Sequence, residues 1–73
     1  MNYLITIHTS DGRQHVGRTE NYDEVVNVMA AISVSDPEFN FIRLTDCTKP
    51  WIAQRIRISA IVSIVAEEKR HDQ

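Results

Sequence analysis

The dipeptide Asp11-Gly12 sits between two stretches of strand-forming residues, and this junction constrains the fold more than any other feature of the chain. Residues 3–9 (Tyr-Leu-Ile-Thr-Ile-His-Thr) are β-branched and aromatic with partial alternation, the pattern of a half-buried strand. Gln14 to Thr19 forms the returning strand. Asp-Gly favours a two-residue hairpin loop, because a type I′ turn needs positive φ at both central positions. That loop places Ser10 opposite Arg13, His8 opposite His15 and Thr6 opposite Gly17. Tyr3, Ile5, Ile7 and Val16 then lie on the other, apolar face, which is expected to meet the core.

Asn21 followed by Glu24 predicts a helix N-terminus, with Asp23 and Glu24 suiting the dipole of the first turn. From Tyr22 to about Ser33, Tyr22, Val25, Val26, Val28, Met29 and Ile32 gather on one stripe, while Asp23, Glu24, Asn27 and Ala31 fall opposite. Ser35-Asp36-Pro37 ends the segment, since a residue before proline is pushed out of the α region. Phe39–Asp46 and Trp51–Ile58 read as a second pair of strands, joined by the polar Cys47-Thr48-Lys49-Pro50. Ser59-Ala60 is a place for a kink before the apolar Ile61–Ala66. Residues 52–66 also fit a helical spacing, but their isoleucines and valines favour strand.

Size turns these elements into a question about partners. A chain of 73 residues allows one domain. Domains this small bury only about 60% of their unfolded surface and lean on disulfides, metals or a second subunit. Cys47 is the single cysteine, so no internal disulfide forms, and it reads as an incidental thiol. The histidines do not fall at zinc spacings, which leaves a partner subunit. With 42% apolar and 25% charged residues the composition is that of a folded domain, expected over residues 1–66 with 67–73 a charged, frayed tail. A net charge of −2 argues against non-specific binding to nucleic acid or acidic membranes. The start lacks a basic leader region and no apolar run is long enough to span a bilayer, so no membrane association is expected. With a lone cysteine, that points to the cytoplasm.

Three constellations are candidates for function. His8 and His15, if paired across the hairpin, lie close enough to share a metal, but two ligands fall short of a zinc set and no metal site is assigned. Phe39, Phe41, Arg43, Trp51, Arg55 and Arg57 share the outer face of the second strand pair. Aromatic and arginine residues are enriched at protein interfaces, and the same mixture holds single-stranded nucleic acid. Ile61 to Ala66 is apolar on both faces, fitting a central strand or an edge that pairs with another chain. No Gly-rich phosphate loop is present, no two carboxylates are placed across a cleft, and no family motif is recognisable.

The expectation is an α+β domain, a small antiparallel sheet in the order β-β-α-β-β with a possible short fifth strand and one helix on one face. The expected core is Ile5, Ile7, Val16, Val25, Met29, Ile32, Ile42, Leu44, Ile52, Ile56 and Ile58. The expected function is a non-enzymatic interaction module without a cofactor. It would self-associate, or bind another protein, through Phe39, Phe41, Trp51, Ile61 and Ile64. The alternative is single-stranded nucleic-acid binding with Arg43, Arg55 and Arg57 on the phosphates.

Overall fold

A computed structural model describes residues 2–34, 40–49 and 51–69, with the backbone alone at Val34. The described elements are β1 (Asn2–Thr9), β2 (Gln14–Thr19), α1 (Tyr22–Val34), β3 (Phe41–Thr45), β4 (Ala53–Arg57), a 3₁₀ turn at Ile58–Ala60 and β5 (Ile61–Lys69). The fold is small and α+β, in the expected order β-β-α-β-β with a fifth strand. That fifth strand is nine residues long and antiparallel to β1. It continues through Glu67, Glu68 and Lys69, which the sequence assigned to the tail, with Lys69 opposite Asn2. The expected kink at Ser59-Ala60 falls within the 3₁₀ turn, and the rest of segment 53–66 is strand. Asp36 and Phe39 lie outside the described residues.

The single expected sheet is instead two. One has the strand order β2-β1-β5, the other is the β3-β4 hairpin. β5 takes the second edge of β1, and the β3-β4 hairpin packs across the first sheet without extending it. The core lies where they meet: Ile5 and Ile7 from β1, Val25 from α1, Ile42 and Leu44 from β3, and Ile56 and Ile58 from β4 and the 3₁₀ turn. Tyr3, Val28, Ala31, Ile32, Ile61 and Ile64 pack around them.

The first hairpin differs from expectation by one residue. Gly12 N–H donates to the Thr9 carbonyl (3.0 Å) and Thr9 N–H donates to that of Arg13 (3.0 Å), which makes a three-residue loop, Ser10-Asp11-Gly12. Gly12 (φ +83°) has positive φ and, among the described residues, no non-glycine residue does, so this hairpin avoids the type I′ turn, which would need Asp11 there too. The Asp11 carboxylate instead accepts the Arg13 N–H (3.1 Å) and the Thr9 hydroxyl. His8 therefore stands opposite Gln14, and His15 opposite Ile7. A one-residue slip exchanges the faces of the returning strand. Val16 consequently moves from its expected core position to the outer face, opposite Thr6, and His15 turns inward.

Two other core expectations shift. Ile52 is exposed because β4 begins at Ala53, two residues later than expected; its N–H closes the preceding turn on the Lys49 carbonyl (3.0 Å). Its alternation partner Gln54 takes an inner, half-buried position. On α1, Val25 is buried and Val28, Ala31 and Ile32 pack on the core, whereas Tyr22 and Val26 stay exposed and Met29 is half-buried. The apolar stripe is thus wider than the surface available to it. Asn21 caps the helix as expected, its side chain accepting the Asp23 N–H (2.9 Å). The Asn21 N–H in turn donates to Thr19 Oγ1 (3.1 Å).

The sheets are in close contact at Gly17. A Cβ there would lie 2.5 Å from the Thr45 carbonyl oxygen and 2.8 Å from Leu44 Cγ. Such distances are far inside van der Waals contact, and one obstacle is backbone. Gly17→Ala is expected to lower unfolding free energy by about 1–3 kcal/mol, the usual cost of overpacking. Urea denaturation followed by circular dichroism measures it; an unchanged midpoint would show that the sheets separate freely.

Candidate functional site

Two surfaces carry exposed residues of chemical or adhesive character. The first is the outer face of the β3-β4 hairpin. Antiparallel register puts Phe41 opposite Arg57, Arg43 opposite Arg55 and Thr45 opposite Ala53. Directly opposed residues share a face, so Phe41 and the three arginines are brought together as expected. The Arg55 guanidinium lies 4.2 Å from the centre of the Phe41 ring and that of Arg57 lies 5.2 Å from it. Both are within cation–π range. Phe41 still keeps 39% of its surface exposed. Among the described residues no carboxylate forms an ion pair with Arg43, Arg55 or Arg57; the ion pairs are Arg13–Asp11, Arg18–Asp46 and Lys69–Glu67. Asn40, Arg43, Ala53 and Arg55 border an open groove of about 460 Å³ beside Phe41. Trp51 is in the turn entering β4, 77% exposed.

The loop that joins these strands is fixed by Asp46. Its carboxylate accepts the Thr48 N–H (2.9 Å) and hydroxyl (2.6 Å), and its other oxygen lies 3.7 Å from Arg18 on β2. The adjacent Cys47 N–H donates to the Arg18 carbonyl (2.8 Å). Burial pushes the Asp46 carboxyl upward, but the two bonds from Thr48 and the charges of Arg18 and Lys49 outweigh it and hold the group below its ordinary value. Asp11 is also held low, first by the Thr9 hydroxyl and then by the Arg13 N–H. On the other side of the hairpin, Gln54 Nε2 donates to the Val16 carbonyl (3.1 Å). Its oxygen accepts from His15 Nδ1 (2.9 Å), which fixes the proton on that nitrogen because an amide oxygen only accepts.

The second surface is β5. It is an edge strand of the β2-β1-β5 sheet. Ile61 and Ile64, expected at an interface, turn inward and pack against the core. The outward residues are Val62, 69% exposed, and Val65, 45% exposed. They escaped the sequence reading because the run is apolar at both parities; only pairing with β1, which sets Ile64 opposite Ile7, decides which members face in. An irregularity between His8 and Thr9 leaves Val62 without a partner on β1. Between β5 and α1 runs a groove of about 570 Å³, lined by Tyr3, Tyr22, Val26, Met29, Ala66 and Glu68, among others. The Tyr3 and Tyr22 rings meet in it with centres 5.3 Å apart.

The expected His8–His15 pair does not form, because the register sets them on opposite faces of the hairpin. Among the described residues no group of three or more His, Cys, Asp or Glu side chains is placed to hold a metal, and no helix is long and apolar enough to cross a membrane. Phe39 is outside the described residues.

The depressed Asp46 group links stability to pH. A carboxylate that binds its proton less readily folded than unfolded adds stability above its ordinary value of 3.8, and that stability is lost as pH falls through the lower folded value. Asp46→Asn is expected to flatten the fall in melting temperature on acidification below about pH 4; thermal melts of both proteins across that range check it. Compared with known proteins, the chain matches no family model, no curated protein and no solved structure.

Proposed function

We propose that this chain is a non-enzymatic interaction module that self-associates through the free edge of β5. The observation that carries the reading is the position of β5: nine residues long, at the rim of its sheet, with Val62 and Val65 exposed on it. Long apolar edges invite pairing with another chain, and proteins normally guard them with charge, bulges or short length. Here the bulge at Val62 and the charges at Glu67, Glu68 and Lys69 guard the ends alone, leaving Ser63 to Ala66 uncharged.

Antiparallel pairing of two β5 strands about a twofold axis at Val65 suits this sequence. Glu67 then faces Ser63 of the second copy and Glu68 faces Val62, so like charges are kept apart. The inner faces of both sheets remain on one side, and the two α1 helices approach over the groove that Tyr22, Val26 and Met29 border. The outer face of β3-β4 is less suited to self-contact, because a symmetric interface there sets arginines against arginines. The lone exposed Cys47 suits a reducing compartment such as the cytoplasm.

Sedimentation equilibrium in the micromolar range is expected to give a dimer. Val65→Lys, which places two ammonium groups together on the axis, and Val26→Glu, which charges the groove, are expected to give folded monomers. Both positions are exposed, so folding is retained. A monomeric parent protein with cooperative unfolding throughout that range would overturn the reading.

A further inference from the structure

The outer face of the β3-β4 hairpin sets charge in a way that costs the folded protein something. Arg43 and Arg55 are directly opposed in register, and like charges across a strand pair are destabilising. Arg57 stands on the same face, across from Phe41. Ordinarily carboxylates would interleave; among the described residues none pairs with these three groups. Residues 40–57 hold Arg43, Lys49, Arg55 and Arg57 against Asp46 alone, and Asp46 is already committed to Arg18 and Thr48. A net charge of −2 for the whole chain therefore conceals a local excess of positive charge.

We propose that this face binds single-stranded nucleic acid. Guanidinium groups present planar forks of donors that match phosphate oxygens in pairs, and their flat faces stack on bases. Arg55 and Arg57 are held against the Phe41 ring, so their orientation is partly set before any ligand arrives. Pre-ordering of this kind lowers the entropy lost on binding. The aromatic component decides between phosphate-bearing and carboxylate-bearing chains. An acidic peptide needs the cations alone, whereas a nucleotide chain alternates phosphates with π faces and uses both. The exposed Trp51 offers such a face at the head of β4, and the guanidiniums stacked on Phe41 offer planar faces of their own beside the groove. Unpaired bases are required to reach them, which favours single strands over duplex. The site is separate from the β5 edge and does not depend on self-association.

The test is fluorescence anisotropy of a labelled oligothymidylate of about ten nucleotides, the scale of single-strand-binding modules. If each guanidinium neutralises one phosphate, affinity falls roughly twentyfold between about 50 and 200 mM salt. The double variant Arg43→Gln, Arg55→Gln is expected to weaken binding at low salt and to cut the salt slope to about a third, which a merely structural role would not do. All three side chains are exposed, and circular dichroism confirms that the variant folds. No binding at low salt overturns the proposal. So does a salt slope unchanged in the variant, equal affinity for oligoglutamate, or tighter binding to duplex of the same length.

Discussion

The structure depends on the contact at Gly17, where a strand of one sheet lies directly on a strand of the other. Neither sheet is substantial alone: a two-stranded hairpin such as β3-β4 is marginal in water without something to pack on. Three consecutive residues of β2 make the join. The Val16 carbonyl accepts from Gln54, the Arg18 carbonyl accepts from Cys47, and between them Gly17 lets Leu44 and the Thr45 carbonyl approach. The free edge of β2 is thereby partly satisfied, and the isoleucines of both sheets share one core.

Much of this fold was legible because local chemistry and global packing agree in it. The Asn21 cap, the alternation of Ile42 with Leu44 and of Ile56 with Ile58, and the turn at Ser59-Ala60 depend on neighbours in the chain, and each is found where the residues imply. The gathering of Phe41 with Arg43, Arg55 and Arg57 was legible for the same reason: it needs only the period of a strand and the pairing of two adjacent ones. What escaped was decided by contacts distant in sequence. The hairpin register turned on whether Asp11 would adopt a left-handed conformation or bond to Thr9 and Arg13, and both fit the same dipeptide. Whether Ile64 or Val65 faced inward turned on pairing with a strand more than fifty residues away. The division into two sheets is likewise a matter of distant pairing: β5 lies on the second edge of β1, and no described strand ladders onto the outer edge of β2.

Charge is partitioned by element. Asp23 and Glu24 sit at the start of α1, where the helix dipole favours them, and Glu67 and Glu68 lie near the end of β5. The guanidiniums of β3 and β4 occupy a face of their own. Such a distribution matters for approach as well as for contact, since a charged partner is oriented by the local field before it touches. It also keeps the two exposed surfaces chemically distinct: a strand edge uncharged from Ile61 to Ala66 with a mostly apolar groove beside it, and a cationic face built around one aromatic ring.

The pairing of the first strand with the last has a consequence in time. As the chain leaves the ribosome, β1 and β2 can close their hairpin early, but the second edge of β1 has no strand to meet until residues 61–69 emerge. At synthesis rates of about 5–20 residues per second that interval lasts several seconds. During it the strand that carries Ile5 and Ile7 has one edge open to any strand nearby, the β5 of a neighbouring nascent copy included. An exchange of β5 between copies would use the same hydrogen bonds as the monomer. The order of synthesis thus makes this chain a candidate for strand swapping during its own production.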